Sequence, residues 1–379
     1  MPVPRRKLLW VLGGGAIAAT AATAIAPRLD AMPAQAVEGW QGPRPGEPDP
    51  RRRALAWALL APSPHNLQSW SVDLSVPGEV RLFVDRRRLL PETDPFSRQV
   101  MIGQGCFLEI LAMSAAADGW RTETRLFPEG EWRLDRPVAT VTFAPAAPSL
   151  DPLFREVPRR RTVKSAYAAR DLDPVHRATL SAVTAPGLDL AITGEADRVA
   201  ELRRLAVAGS ELEMNTPRTH RESIDVARIG ARAVAEHRDG ITLLGPMIWA
   251  LRQAGEMTAE KAMTPGTLAW QGGRDYTLAG YASARAFGWL ASPDNSRATQ
   301  VACGRQWVRL QLAASALGVA LQPHSQTLQE YPEMAALRAA MRAATGLADG
   351  RTLQMFFRLG YAASPSPSPR RPLDSFVTA

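Results

Sequence analysis

The sequence is poor in cysteine, histidine and lysine. Cys106 and Cys303 are its only cysteines, too few for a disulfide framework. The histidines are dispersed and neither CxxC nor HExxH occurs, so no protein-held metal site is expected. Lys7, Lys164 and Lys261 are the only lysines among 45 basic residues, and the arginines are scattered among acids. The net charge of +8 therefore reads first as arginine-rich composition and second as a taste for an anionic ligand or surface. No basic stripe with interleaved aromatics, zinc finger or RNP pattern is present, which leaves nucleic-acid binding unsupported and a small molecule as the expected partner. Hydrophobic content of 46% over 379 residues suffices for two modules or one large α/β unit.

Residues 1–36 read as an export signal. Arg5, Arg6 and Lys7 precede the weakly apolar run Leu8–Ala26, and Ala34-Gln35-Ala36 offers a small-residue cleavage site. The paired arginines resemble a twin-arginine signal, with Pro4 where Ser or Thr is usual. The alternative is an uncleaved anchor, since 19 residues just reach across a bilayer. Membrane contact is expected only during export or through that anchor. Residues 37–50 read as a linker.

Residues 51–150 form a first half and 151–379 a second. Ala54–Leu60 reads as a helix stopped by Pro62 and Pro64, ahead of the polar loop Ala61–Trp70. That loop crowds Ser63, His65, Asn66 and Gln68 between prolines and reads either as a binding loop or as a plain helix stop. Ser71–Leu74 and Val80–Asp85 read as strands around a Pro77-Gly78 turn. Gly103–Trp120 reads as a helix buried on nearly all sides. Its Gly103-Gln104-Gly105 lacks the third glycine of a dinucleotide fingerprint, so close helix packing explains it better. Val138–Phe143 reads as a strand leading into a Pro-rich linker. A shift of 199 residues lays Gly105, Leu111, Ala115, Ala117 and Gly119 on Gly304, Leu310, Ala314, Ala316 and Gly318. Trp307–Leu321 is thus expected as a second central helix, and the chain as an internal pseudo-dimer.

Phe154–Tyr167 reads FREVPRRRTVKSAY. If extended, it would turn Arg160, Thr162 and Lys164 to one face, the charge and donors that a phosphate requires. Ser364–Pro369 alternates Ser and Pro into Arg370 and Arg371, a stiff strap able to bring a third cation. Asn215–Gly273 is long for a connection and reads as a lid-like insertion. His220 and Glu222 within it read as solvated helix polarity rather than an acid–base pair.

APSPHNLQSW, RRTVK, ALGVALQPHSQ and the closing RLGYAASPSPSPRRPLDSF together resemble the nitroreductase superfamily of FMN proteins, and more closely its double-length, Acg-like branch. The resemblance covers most of residues 51–379. It implies an α+β fold of two pseudo-repeat halves, each with a central buried helix and a mostly antiparallel sheet, working as a monomer that mimics a homodimer. It implies FMN on Arg160, Thr162 and Lys164, with Arg370 or Arg371 also at the phosphate. Ser63, Asn66 and Gln68 would meet the flavin from the other half, and Pro323, His324, Ser325 and Gln326 would line its ring. The activity implied is hydride or electron transfer to an electron-poor acceptor such as a nitroaromatic or quinone. The alternative is a flavin-sequestering protein with little turnover. Only the first half has the loop and only the second the phosphate segment, so one FMN per chain is expected.

Overall fold

The computed structural model describes residues 30–378. Most of the expected export signal lies outside them. The first half comprises α1 (Pro50–Ala58), β1 (Trp70–Asp73), β2 (Glu79–Val84), α2 (Arg98–Ala117), β3 (Trp120–Leu126) and β4 (Ala139–Pro145). The start of α1 is set locally. Asp49 accepts from the Arg51 N–H at 2.9 Å, and Pro50 takes the first helical position, where its missing donor costs nothing.

The second half opens with α3 (Pro174–Ser181) and β5 (Asp189–Thr193). A long excursion follows: α4 (Ala196–Asn215), α5 (Pro217–Asp225), β6 (Ala227–Ile229), α6 (Ala231–His237), β7 (Ile241–Leu243), α7 (Pro246–Gln253), α8 (Ala259–Met263) and α9 (Leu268–Ala282). The half is completed by β8 (Ala286–Ser292), α10 (Arg297–Ala316), β9 (Ala320–Pro323), α11 (Ala335–Thr345) and β10 (Thr352–Gly360), and β11 (Val377–Thr378) follows.

The two large sheets have the same plan. One runs β11-β1-β2-β4-β3 and the other β5-β8-β10-β9. Matching β1 with β5, β2 with β8, β4 with β10 and β3 with β9 makes every shared pairing antiparallel in both. The addition is β11, which crosses from the second half to lie parallel on β1, Val72 opposite Val377.

The halves meet where α2 crosses α10. A Cβ on Gly105 would lie 2.0 Å from the Val301 carbonyl oxygen, and one on Gly304 would lie 1.9 Å from that of Ile102. Each contact becomes the other under the 199-residue offset, so the crossing sits on a pseudo-two-fold axis. Backbones touch there because neither residue has a side chain to hold them apart.

Both central helices start earlier and end sooner than their apolar runs indicate. Their first turns are polar but buried with partners: Arg98 donates to the Leu328 and Gln354 carbonyls, and Gln300 to Asn295. Gly119 and Gly318, again 199 residues apart, take positive φ and stop the helices, so Trp120 falls in β3 and Ala320 in β9. The expected linker is no free spacer, because Trp40 is buried and its indole donates to the Ser368 carbonyl at 2.8 Å. Ala36, placed at the expected cleavage site, is also buried and accepts from the Arg370 N–H. The excursion between paired strands runs over residues 194–285, wider than the expected 215–273, because α4 and α9 pack on the second half.

Candidate functional site

The loop after α1 is held in an unusual backbone. His65, Asn66 and Gln68 all have positive φ, at 46°, 56° and 55°. Such conformations cost L-residues energy and persist only where neighbours impose them. Gln68 is the main clamp. Fully buried, it donates its side-chain amide to the Arg238 carbonyl at 3.0 Å and accepts from the Arg371 N–H at 2.8 Å. Its backbone N–H donates to Ser63 Oγ at 2.9 Å. Ser63 and Gln68 therefore shape the loop. The excursion is bonded to it as well, since the Gly240 N–H donates to the Asn66 carbonyl.

Against this loop stands a cluster of cations. Arg160 and Arg370 both donate to the Leu60 carbonyl, at 3.0 and 3.2 Å, just past the C-terminus of α1 where helix carbonyls lack partners. Arg370 also donates to Asn66 Oδ1 at 2.7 Å, while Asn66 Nδ2 donates to the Pro369 carbonyl. Trp40 packs against the guanidinium carbons of Arg161 and Arg370, at 4.1 and 4.9 Å from its ring centroid. Among the described residues Arg160, Arg161, Lys164 and Arg370 have no carboxylate partner. Buried Nε atoms of Arg160, Arg161 and Arg370 and the Nδ1 of His65 also lack hydrogen-bond partners.

These groups register one another electrostatically. Burial, reinforced by the charges of Arg160 and Arg161, drives Arg370 well below its ordinary value, and burial brings Arg160 down to about 10. His65 falls to about 4, through burial first and the Lys164 charge second. Lys164 is exposed, and the protein around it holds its ammonium below the usual range by desolvation. An anion entering here would relieve a concentration of positive charge for which the fold supplies no counter-ion.

The structure thus brings together Arg160, Asn66 and Arg370, with Lys164 close enough to His65 of the same loop for its charge to be felt there. Thr162 is half-buried between the two cations of its segment, which follows a short turn at Pro152–Glu156 and belongs to no strand. Arg371 does not join them. It turns the other way, donating to the Trp70 carbonyl at 3.0 Å and pairing with Asp85 at 3.4 Å. Pro323 closes β9, and His324 is enclosed between Tyr281 and Phe356, with burial pushing it down to about 3. Ser325 and Gln326 begin the next turn, and Gln326 Oε1 accepts from the Tyr281 hydroxyl at 3.3 Å. Tyr281 ties this group to the Arg160–Lys164 segment through its neighbour Gly280, whose added Cβ would lie 2.9 Å from the Lys164 carbonyl oxygen. His220 Nε2 donates to the Ala262 carbonyl, and Glu222 accepts from the N–H groups of Glu92 and Thr93; both are structural.

Sequence reasoning missed Trp40, Arg161 and Arg358. Arg358 is fully buried, lies 3.8 Å from the Tyr167 ring centroid and donates to the carbonyls of Val163, Lys164 and Ser165, fixing the backbone of the cation segment. The available signal was a charged residue inside the apolar strand TLQMFFRLG.

No protein-family model matches the chain. It is 26% identical over 344 residues to a provisionally named NAD(P)H nitroreductase, acg, of Mycobacterium tuberculosis, covering 85% of this chain and 93% of that one. A second provisionally named NAD(P)H nitroreductase of that organism is 32% identical over 119 residues, 31% of this chain and 34% of the relative. This shorter match spans about a third of the relative's length. Among solved structures, an FMN-bound nitroreductase of Bacteroides fragilis overlaps 56% of this chain and 89% of its own at 13% identity and a TM-score of 0.34. The NADPH complex of the FMN-dependent nitroreductase NfnB of Mycobacterium smegmatis overlaps 57% and 92%, at 17% identity and a TM-score of 0.35.

Proposed function

We propose that this chain is an FMN-dependent oxidoreductase of the nitroreductase superfamily, of the double-length kind in which two halves of one chain stand for two subunits. The observation that carries the reading is the carboxylate-free cluster of Arg160, Arg161, Lys164 and Arg370 set against a strained loop from the other half. The likeness to acg over most of both chains supports it. Unpartnered Nε atoms and an exposed lysine with no carboxylate partner among the described residues suit a phosphate monoester. In this reading Arg160, Thr162, Lys164 and Arg370 hold the phosphate, and Asn66 holds Arg370 and the strap in place. Ser325 and Gln326 lie on the ring side. Bound FMN supplies the redox chemistry, so no side-chain nucleophile is required. The acceptor class is an electron-poor nitroaromatic or quinone.

The bonds from Arg238 and Gly240 to the loop favour a second reading, a flavin-holding protein with little turnover. The basic N-terminus followed by an apolar run supports work outside the cytoplasm, where a donor other than NAD(P)H is needed. Purified protein is expected to be yellow, with close to one FMN per chain, and to bleach with dithionite. A colourless protein that cannot be reconstituted, or a flavin ratio near two, overturns the reading. Bleaching by NADH or NADPH selects the reductase, and bleaching by dithionite alone favours the holding protein or a different donor.

A further inference from the structure

The excursion carries an apolar face that the fold leaves open. No residue of α7, sequence PMIWALRQ, is buried. Met247 is 70% exposed, and Ile248, Trp249 and Leu251 are partly exposed beside it. Leu268 and Tyr276 of α9 add apolar surface, at 49% and 56% exposure. Of the nearby cations in sequence, Arg252 pairs with Asp30, Arg232 with Glu236 and Lys261 with Glu256, so charge does not set the partner of this face. A short helix presenting an exposed methionine beside a partly exposed tryptophan suits the interfacial zone of a bilayer.

The course of the N-terminus says which surface covers it. Asp30, the first described residue, has its carboxylate buried. That carboxylate accepts from the Ala231 N–H at 2.7 Å and meets Arg252 Nη1 of α7 at 3.3 Å. The apolar run Leu8–Ala26 ends four residue steps before Asp30, which spans at most about 14 Å of chain. Whatever that run is embedded in lies within this reach of α7. Cleavage after Ala36 would remove Asp30, leaving the Ala231 N–H and Arg252 without this partner.

We propose that Leu8–Ala26 is retained as an anchor and that α7 lies in the interface of the same bilayer, Met247, Ile248, Trp249 and Leu251 toward the acyl chains. The inference is independent of the flavin reading. Its consequence is that the excursion bonded to the Ser63–Gln68 loop faces the membrane, where lipid-soluble electron carriers are concentrated.

The test uses the full chain. Both natural cysteines are buried, so a thiol introduced as Met247→Cys can be labelled selectively with an environment-sensitive fluorophore; Val175→Cys, also 70% exposed, serves as control. Each protein is reconstituted into phosphatidylcholine–phosphatidylglycerol vesicles with or without shallow spin-labelled lipid. The expected result is a blue-shifted label at 247, quenched at least two-fold more than the label at 175. Equal, water-like emission at both positions overturns the proposal. So does a concentration-dependent blue shift without lipid quenching, which would assign the face to a second copy. Recovery from cells of a water-soluble chain whose N-terminus lies after Ala26 also overturns it.

Discussion

The loops that follow α1 and α3 occupy equivalent places in the two halves, and they have had opposite fates. After α1 the chain makes the loop Ala61–Ser69, with three residues at positive φ, and then joins β1 to β2 by a short turn. After α3 a plain connection of residues 182–188 leads to β5, and residues 194–285 separate β5 from its partner β8. The phosphate-type segment precedes α3 in the second half. Before α1, the corresponding stretch instead delivers Trp40 to the same cation cluster. In the proposed reading, each half keeps a different part of one shared site and is free to vary elsewhere. The helix crossing had no such freedom, because both backbones contribute equally to it.

The largest test attacks what the halves still share. Gly105→Val and Gly304→Val should each abolish soluble folded protein, because the new side chain would overlap the opposing carbonyl. Gly103→Ala, whose Cβ meets nothing closer than Pro64 Cδ at 3.6 Å, should change stability by less than about 1 kcal/mol. Denaturant unfolding measures both, and tolerance of only one of the two valines would break the symmetry.

The next test separates neighbours in the strap. Arg371→Ala should cost about 2–4 kcal/mol of stability, since it leaves Asp85 and the Trp70 carbonyl short of a buried donor. Arg370→Ala should lower Tm little and weaken FMN binding about 10–100-fold, the loss of a charge-assisted contact. Asn66→Ala should weaken FMN retention less, acting through Arg370. Equal effects at 370 and 371 would erase the distinction drawn between them.

Acid should reach the halves differently. His324 titrates near 3 in the folded protein against about 6.5 when unfolded, so the unfolded chain binds the extra proton between those values. Stability present above pH 6.5 is lost as pH falls toward 3, and His324→Gln should flatten that limb of a Tm–pH curve. A parallel but shallower contribution from His65, which titrates near 4, should shrink when an anion occupies the cation cluster. Smallest of the effects at the site, Trp40→Phe, which keeps a ring against Arg161 and Arg370 but loses the bond to the Ser368 carbonyl, should cost about 1 kcal/mol in denaturant unfolding.

Much of this arrangement was legible in residue order. The hairpin of β1 and β2 was visible in its alternation and Pro-Gly turn, and the pairing of Gly105 with Gly304 in the 199-residue echo. Helix ends were hidden because Arg98 and Gln300 are buried polar residues whose partners are distant or irregular in sequence. The all-buried strand β8 lacks alternation, and β3, WRTETRL, looks like a charged surface segment. In the candidate site, cation spacing pointed to Arg160 and Lys164 as a pair. Which strap arginine joins them depends on the side to which the chain turns after Pro369, and composition carries no trace of that turn.

The parallel pairing of β11 with β1 has a consequence for the chain's biosynthesis. A site shared between residues near 66 and near 370 is complete only when both have been made, since β11 closes the edge beside β1 and Arg370 reaches Asn66. A nascent chain lacking residues 370–378 would leave the edge of Val72 bare and Asn66 without its cation. In the proposed reading, cofactor content therefore reports whether synthesis has passed these residues.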